Sequence, residues 1–262
     1  MKYAGGDLVA EDTLLRAEGL TRVFRGKDNT VFPAVDHISF SLKRGTCLAL
    51  VGESGSGKST TVRMITGLLP VSEGTIEMDG EDITSLKGKK RRDIYRRMQM
   101  VFQSPQESFD PRRTLGFGIG ESLSNTGMSR SEVKKKVEDL LVECGLDASF
   151  ADKYPHEVSG GECQRAAIAR AIAVNPELLI LDEATSALDV TVQKQVIDLL
   201  SRLKEERHMS YFFICHDLAL VQSFSDYVLV MNHGIIVEEG TPDEVIQHPR
   251  EEYTKVLLDS VL

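Results

Sequence analysis

Apolar and polar positions alternate between Ile38 and Leu42, with Ile38, Phe40 and Leu42 on one side and Ser39 and Ser41 between them. That period of two predicts a strand with one dry and one wet face, as in an antiparallel sheet. Ile76 and Met78 around Glu77, bracketed by Gly74 and Gly80, repeat it. Three other runs are apolar throughout: Cys47 to Val51, Leu178 to Leu181 and Tyr211 to Cys215. Apolar side chains on both faces predict parallel strands buried within a sheet. Elsewhere the period lengthens to that of a helix. Val133, Val137, Leu140, Leu141 and Cys144 share one face, opened by a capping-box pair, Ser129 and Glu132, and closed by Gly145. Val192, Val196, Leu199 and Leu203 mark a second helix, from Thr191 to about Arg207. Tyr227 to Met231, the turn Asn232-His233-Gly234 and Ile235 to Val237 predict a hairpin.

Buried strands alternating with amphipathic helices predict a doubly wound α/β core. The early alternating strands add an antiparallel β subdomain, and the stretch 105–172 reads as wholly helical and as a separate lobe. No internal repeat or low-complexity linker interrupts the chain. At 262 residues and 41% hydrophobic, it can bury one substantial core. A net charge of −9 argues against a protein built to cover nucleic-acid phosphates. Cys47, Cys144, Cys163 and Cys215 stand far apart without a CxxC pair, so neither a zinc site nor a disulfide framework is expected and a reducing compartment fits best. Met1 to Asp12 holds no apolar core of signal-peptide length, and no run is apolar enough to span a bilayer. Any membrane association is therefore expected to go through a partner.

Two motifs carry chemistry. Gly52-Glu53-Ser54-Gly55-Ser56-Gly57-Lys58-Ser59 fits the phosphate-loop pattern and stands between a buried strand and a helix starting near Ser59. Glycines let the backbone wrap a phosphate so that several N–H groups and the helix N-terminus converge on it. Lys58 would hold the β and γ phosphates, and the Ser59 hydroxyl would complete a magnesium shell. A Gly/Ser-rich strand-to-helix turn would share the glycines but not the full pattern. The second motif is the apolar strand Leu178 to Leu181 ending in Asp182 and Glu183. Carboxylates at a core edge are costly without a purpose. Asp182 suits the magnesium ion, and Glu183 suits polarisation of an attacking water. Helix capping would also explain an acidic pair, but not its company with a phosphate loop.

With these in place the chain resembles the ABC ATPases. Val158-Ser159-Gly160-Gly161-Glu162 looks like the signature motif that separates them from other phosphate-loop families. Ser159 and the glycines at a helix start form a second anion nest. The resemblance implies that Ser159, Gly160, Gly161 and Glu162 meet the γ phosphate of a nucleotide held by the opposite subunit, so that each site is shared between two chains. It further implies a glutamine loop at Gln103 that touches magnesium and water, and a dimer-crossing loop at Ser186-Ala187-Leu188-Asp189. It makes His216 the switch histidine, at a strand end where ligands gather in open α/β sheets. Thr60 joins Gly52 to Ser59 and Gln103 in the ATP-binding set. Phe24 stands where the family has an aromatic that stacks on adenine, with Phe32 an alternative. Glu162 replaces the usual glutamine and Val158 the usual leucine.

The resemblance covers about residues 14–257 as one ATP-binding domain, with 105–172 inserted. Gly-Glu-Ser-Gly-Ser-Gly-Lys-Ser-Thr, the segment Phe102 to Pro111, Cys163-Gln164-Arg165 and the tail His248-Pro249 with Tyr253-Thr254 resemble importers of peptides and nickel. What this implies is an ATPase using ATP and Mg2+ that pairs with a second ABC ATPase subunit, identical or related. It would dock on transmembrane permease subunits at the cytoplasmic membrane face and serve an extracellular solute-binding protein indirectly. An ABC ATPase uncoupled from transport, or one serving an exporter or lipoprotein system, would share the site motifs. Lys87 to Arg97 carries seven basic residues and reads mainly as a solvated face leading towards Gln103, with acidic lipid headgroups a lesser alternative.

Overall fold

A computed structural model describes residues 12–26, 30–186 and 188–259. The chain opens with two long strands, β1 (Thr13–Arg25) and β2 (Val31–Lys43), then β3 (Cys47–Val51) and α1 (Lys58–Ile65). β4 (Glu73–Met78), β5 (Glu81–Asp82), α2 (Gly88–Arg97) and β6 (Met98–Val101) follow. The helical stretch holds α3 (Leu115–Ser124), α4 (Arg130–Glu143) and α5 (Gly160–Ile172). The core resumes with β7 (Leu178–Asp182), α6 (Val190–Arg207), β8 (Ser210–Ile214) and α7 (Leu218–Phe224), and ends with β9 (Tyr227–Asn232), β10 (Ile235–Gly240) and α8 (Glu252–Asp259).

Two sheets result. One is four-stranded and antiparallel, ordered β2-β1-β4-β5; the other is six-stranded, ordered β10-β9-β3-β8-β7-β6, parallel except for the β9–β10 hairpin. The expected α/β fold is therefore present, with its antiparallel subdomain. The three all-apolar strands lie side by side in the parallel sheet, and the hairpin closes through His233 and Gly234, both at positive φ as such a two-residue turn requires. β1 and β6 carry no clean pattern and were not expected.

The parallel strands split their side chains between two cores. Leu48, Leu50, Ile180, Phe212 and Ile214 pack with Val62, Ile38, Phe40 and Ile76, between sheet and β subdomain. Cys47, Ala49, Val51, Leu179, Leu181 and Phe213 face the other way and pack with Leu115, Ile119, Leu140 and Ile168. The helical stretch is inserted between β6 and β7, and its apolar faces continue the core on this side of the sheet.

At the N-terminal ends of the strands, Arg44 and Arg97 each reach both Asp79 and Glu177 over 2.5–2.9 Å, closing a ring of charge. Arg97 ends α2, so the basic helix is anchored at the edge of the sheet opposite Gln103. Lys89, Lys90, Arg92 and Arg96 are exposed while Ile94 is buried, as a solvated helix face requires. No helix among the described residues is long and apolar enough to cross a membrane.

Candidate functional site

The strand register assembles the site. Leu50 of β3 lies opposite Ile214 of β8, Asp182 of β7 is also aligned with Ile214, and Val101 of β6 is aligned with Leu181. The segments leaving these strands therefore emerge in one row: the glycine-rich loop after β3, His216 after β8, Asp182 and Glu183 at the end of β7, and Gln103 after β6. Residues separated by up to 164 positions in sequence become neighbours because parallel pairing puts all C-terminal ends on one edge.

The loop is built against a solid backing. Gly57 sits at φ 114°, and a Cβ there would come within 2.6 Å of the Ala34 carbonyl and 2.7 Å of the Met231 methyl. Only glycine fits. From behind, the Gly234 amide donates to the Ser56 carbonyl at 2.9 Å, and from the C-terminal helix the Tyr253 hydroxyl accepts from the Glu53 amide at 3.1 Å. Sequence reasoning missed Tyr253, Met231 and Ala34, since nothing in their local pattern points to a loop so far away. Lys58 is buried, its ammonium donating to the Gly52 and Glu53 carbonyls at 2.7 and 2.8 Å. Burial lowers its pKa, while Glu183, Asp182 and Glu53 pull it back up. Gly55 and Ser59 are exposed, Thr60 partly so.

Asp182 is pushed above the usual carboxylate range by burial and by Glu183, against the pull of Arg63 and Lys58. It enters no ion pair among the described residues. Glu183 adopts φ 48°, a left-handed conformation rare for a residue with a side chain, and its amide is held by the Ile214 carbonyl at 3.1 Å. The turn swings its carboxylate to Gln103, whose amide donates to it at 2.8 Å, with Ser186 Oγ 3.5 Å from the same nitrogen. His216 is exposed beyond the tip of β8, just ahead of Asp217, which caps α7. Gln103 thus meets Glu183, and Glu183, Asp182 and the phosphate-loop Lys58 lie near enough to act on one another.

Hydroxyl, carboxylate and amide oxygens at Ser59, Asp182 and Gln103 are hard donors that suit Mg2+. No group of three or more His, Cys, Asp or Glu able to hold a metal ion occurs among the described residues.

Phe24 and Phe32 face each other across the β1–β2 pair with ring centroids 6.0 Å apart, and Arg22 lies 4.8 Å over Phe24. Phe32 is two residues along β2 from the Ala34 carbonyl that backs Gly57 and is the more exposed of the two. Both aromatics therefore lie on one side of the loop.

The signature residues form a second surface. Ser159 caps α5 in a reciprocal box with Glu162, and Ser159 and Gly160 are exposed. Gly161 is buried: a Cβ there would come within 2.3 Å of Val192 Cγ1, so glycine lets the starts of α5 and α6 meet. Asp189 has a structural task, its carboxylate accepting from the Val192 amide at 3.0 Å to cap α6. Ser186 joins Gln103 and Glu183, while Ala187 lies outside the described residues.

The family model described as ABC transporter matches residues 35–186. Among curated proteins, the oligopeptide transport ATP-binding protein AppF of Bacillus subtilis is 48% identical over 230 residues, covering 87% of this chain and 70% of its own. The corresponding OppF of Escherichia coli is 44% identical, covering 87% and 69%. A dimeric ATP-binding cassette in a post-hydrolysis state bound to ADP and Pi superposes with TM-score 0.80 at 27% identity, covering 87% of this chain and 99% of that one. The cbiO1 protein of Clostridium perfringens, part of the ABC transporter complex cbiONQ, superposes with TM-score 0.81 at 29% identity, covering 91% and 92%.

Proposed function

The chain belongs to the ABC transporter family, as an ATP-binding, ATP-hydrolysing subunit, and from that premise we propose that it powers peptide import through a shared ATP site. The observation that carries the catalytic part is the convergence of Gln103 and Glu183 beside Lys58 and Asp182. The peptide assignment rests on likeness to AppF and OppF, whose names favour peptides over nickel.

In this reading the loop amides from Gly52 to Thr60 and the α1 N-terminus hold the phosphates of ATP, and Lys58 offsets their charge. Phe24 or Phe32 offers a face to adenine. Ser59, Asp182 and Gln103 would hold Mg2+, which would supply positive charge to offset that of the phosphate oxygens. Glu183 orients and polarises the attacking water, and His216 faces the γ phosphate. The strained turn at Glu183 has a use here: it aims the carboxylate across the strand tips towards Gln103 instead of along β7. Catalysis is then mostly positioning and electrostatics. Ser159, Gly160 and the Gly161 amide, with Glu162 and Asp189 nearby, face the nucleotide of a second cassette, identical or related. Permease subunits bring the pair to the cytoplasmic face of the membrane, where a solute-binding protein delivers cargo.

The test is ATP turnover of wild type beside Glu183→Gln, with light scattering for ATP-dependent dimers. The variant is expected to bind ATP, lose turnover and accumulate as a dimer. Labelled-peptide uptake in cells should fail with the same variant. Wild-type turnover in Glu183→Gln would overturn the assignment of the base.

A further inference from the structure

The signature turn contains an acid where it is meant to receive one. One oxygen of Glu162, Oε2, takes both donors that Ser159 owns: the backbone N–H at 2.8 Å and the hydroxyl at 2.8 Å. The Glu162 amide returns a bond to Ser159 Oγ at 3.3 Å. A hydroxyl has one hydrogen, so while Glu162 holds it Ser159 cannot donate to a phosphate. Thr241 and Glu244 make the same three bonds near the C-terminus, at 2.9, 3.0 and 3.3 Å, so a carboxylate in such a box holds the cap hydroxyl as part of the cap.

The Glu162 carboxylate is held below the usual range first by the Ser159 amide, then by the Ser159 hydroxyl, with Lys153 and Arg165 assisting. It stays charged in working conditions. A γ phosphate approaching Gly160 and Ser159 meets that charge and a hydroxyl turned away from it.

We propose that Glu162 is a positioning residue acting through Ser159: its carboxylate is a resident counter-anion that must release the hydroxyl before the signature turn can grip the opposite nucleotide. Glu162 thereby sets how much ATP closes the dimer. This inference rests on the shared-site reading given above and names a control on that site.

Glutamine is the discriminating substitution, because its amide oxygen accepts the same two bonds without the charge. In the complex purified through a tag on this chain, Glu162→Gln should lower the KM for ATP about threefold to tenfold, a size set by removing one charge near the phosphate in a half-solvated site. kcat should stay within about twofold. The gap in KM should narrow at high ionic strength, where such repulsion is screened. Glu162→Ala should lower KM as well but melt earlier, since it loses the cap. A purely structural role would shift melting without splitting KM from kcat. An unchanged or raised KM in Glu162→Gln, with Glu183→Gln inactive, overturns this inference alone. Wild-type turnover in Glu183→Gln overturns the shared-site reading and this inference with it.

Discussion

The contact between Gly161 and Val192 makes a quantitative prediction. Gly161→Ala places a methyl 2.3 Å from Val192 Cγ1, less than two-thirds of a normal carbon contact. Valine in a helix is confined to one χ1 rotamer, so Val192 cannot turn aside cheaply. Overpacking of this kind costs about 1–3 kcal/mol. Alanine for glycine inside a helix returns about 0.5–1 kcal/mol. At the midpoints of these ranges the clash wins, leaving a net loss of about 1 kcal/mol and a melting temperature lower by about 2–4 °C for a chain of this size. Thermal denaturation by circular dichroism measures it. Val192→Ala removes the opposing methyls, so the double variant should be more stable than the summed single losses by about 1 kcal/mol. If Gly161→Ala melts at or above wild type, or the two losses simply add, the close approach of α5 and α6 does not constrain this position.

Lys58→Ala removes the ammonium bound by the Gly52 and Glu53 carbonyls, and titration with a fluorescent nucleotide should show ATP binding weakened by a hundredfold or more, roughly the value of a charge-assisted phosphate contact in a partly buried site. Glu177→Gln opens the charge ring. Its carboxylate is held below the usual range chiefly by Arg97, so its contribution is present above the unfolded pKa and fades as pH falls through the folded one. The variant should lose roughly 1 kcal/mol in urea unfolding at pH 7, for a pair about a third exposed, and converge on wild type in acid. The thiols of Cys144, Cys163 and Cys215 are raised by burial to about 12, about 11 and about 12, and that of Cys47 higher still. All four should resist a thiol reagent at pH 8 in the native protein and react on unfolding; prompt reaction of any one would show that its burial is wrong.

What the sequence conveyed, and what it did not, follows from range. The phosphate loop, the Asp182-Glu183 pair and the signature turn are contiguous strings, each with its chemistry in a few adjacent residues. β3, β7 and β8 were legible because burial on both faces leaves no room for polar residues. β6 was not: its two inner residues, Gln99 and Met100, are only partly buried in a four-residue strand. β1 was obscured by repeated irregularities in its pairing with β2. For the helical stretch, periodicity says which face is apolar but not what it packs against. Asp189 as a cap, Gly161 as a spacer and Tyr253 on the loop each depend on a partner that folding alone brings near.

The phosphate loop rests on the Met231 and Ala34 backbone region, the β9–β10 turn and Tyr253, contacts made by the protein itself. A cradle held by protein contacts on several sides has little order left to acquire. Nucleotide capture at this loop should then show a small conformational entropy penalty and an association rate limited by diffusion and charge more than by rearrangement. In the proposed cycle, slow ordering events belong instead to the encounter of two cassettes.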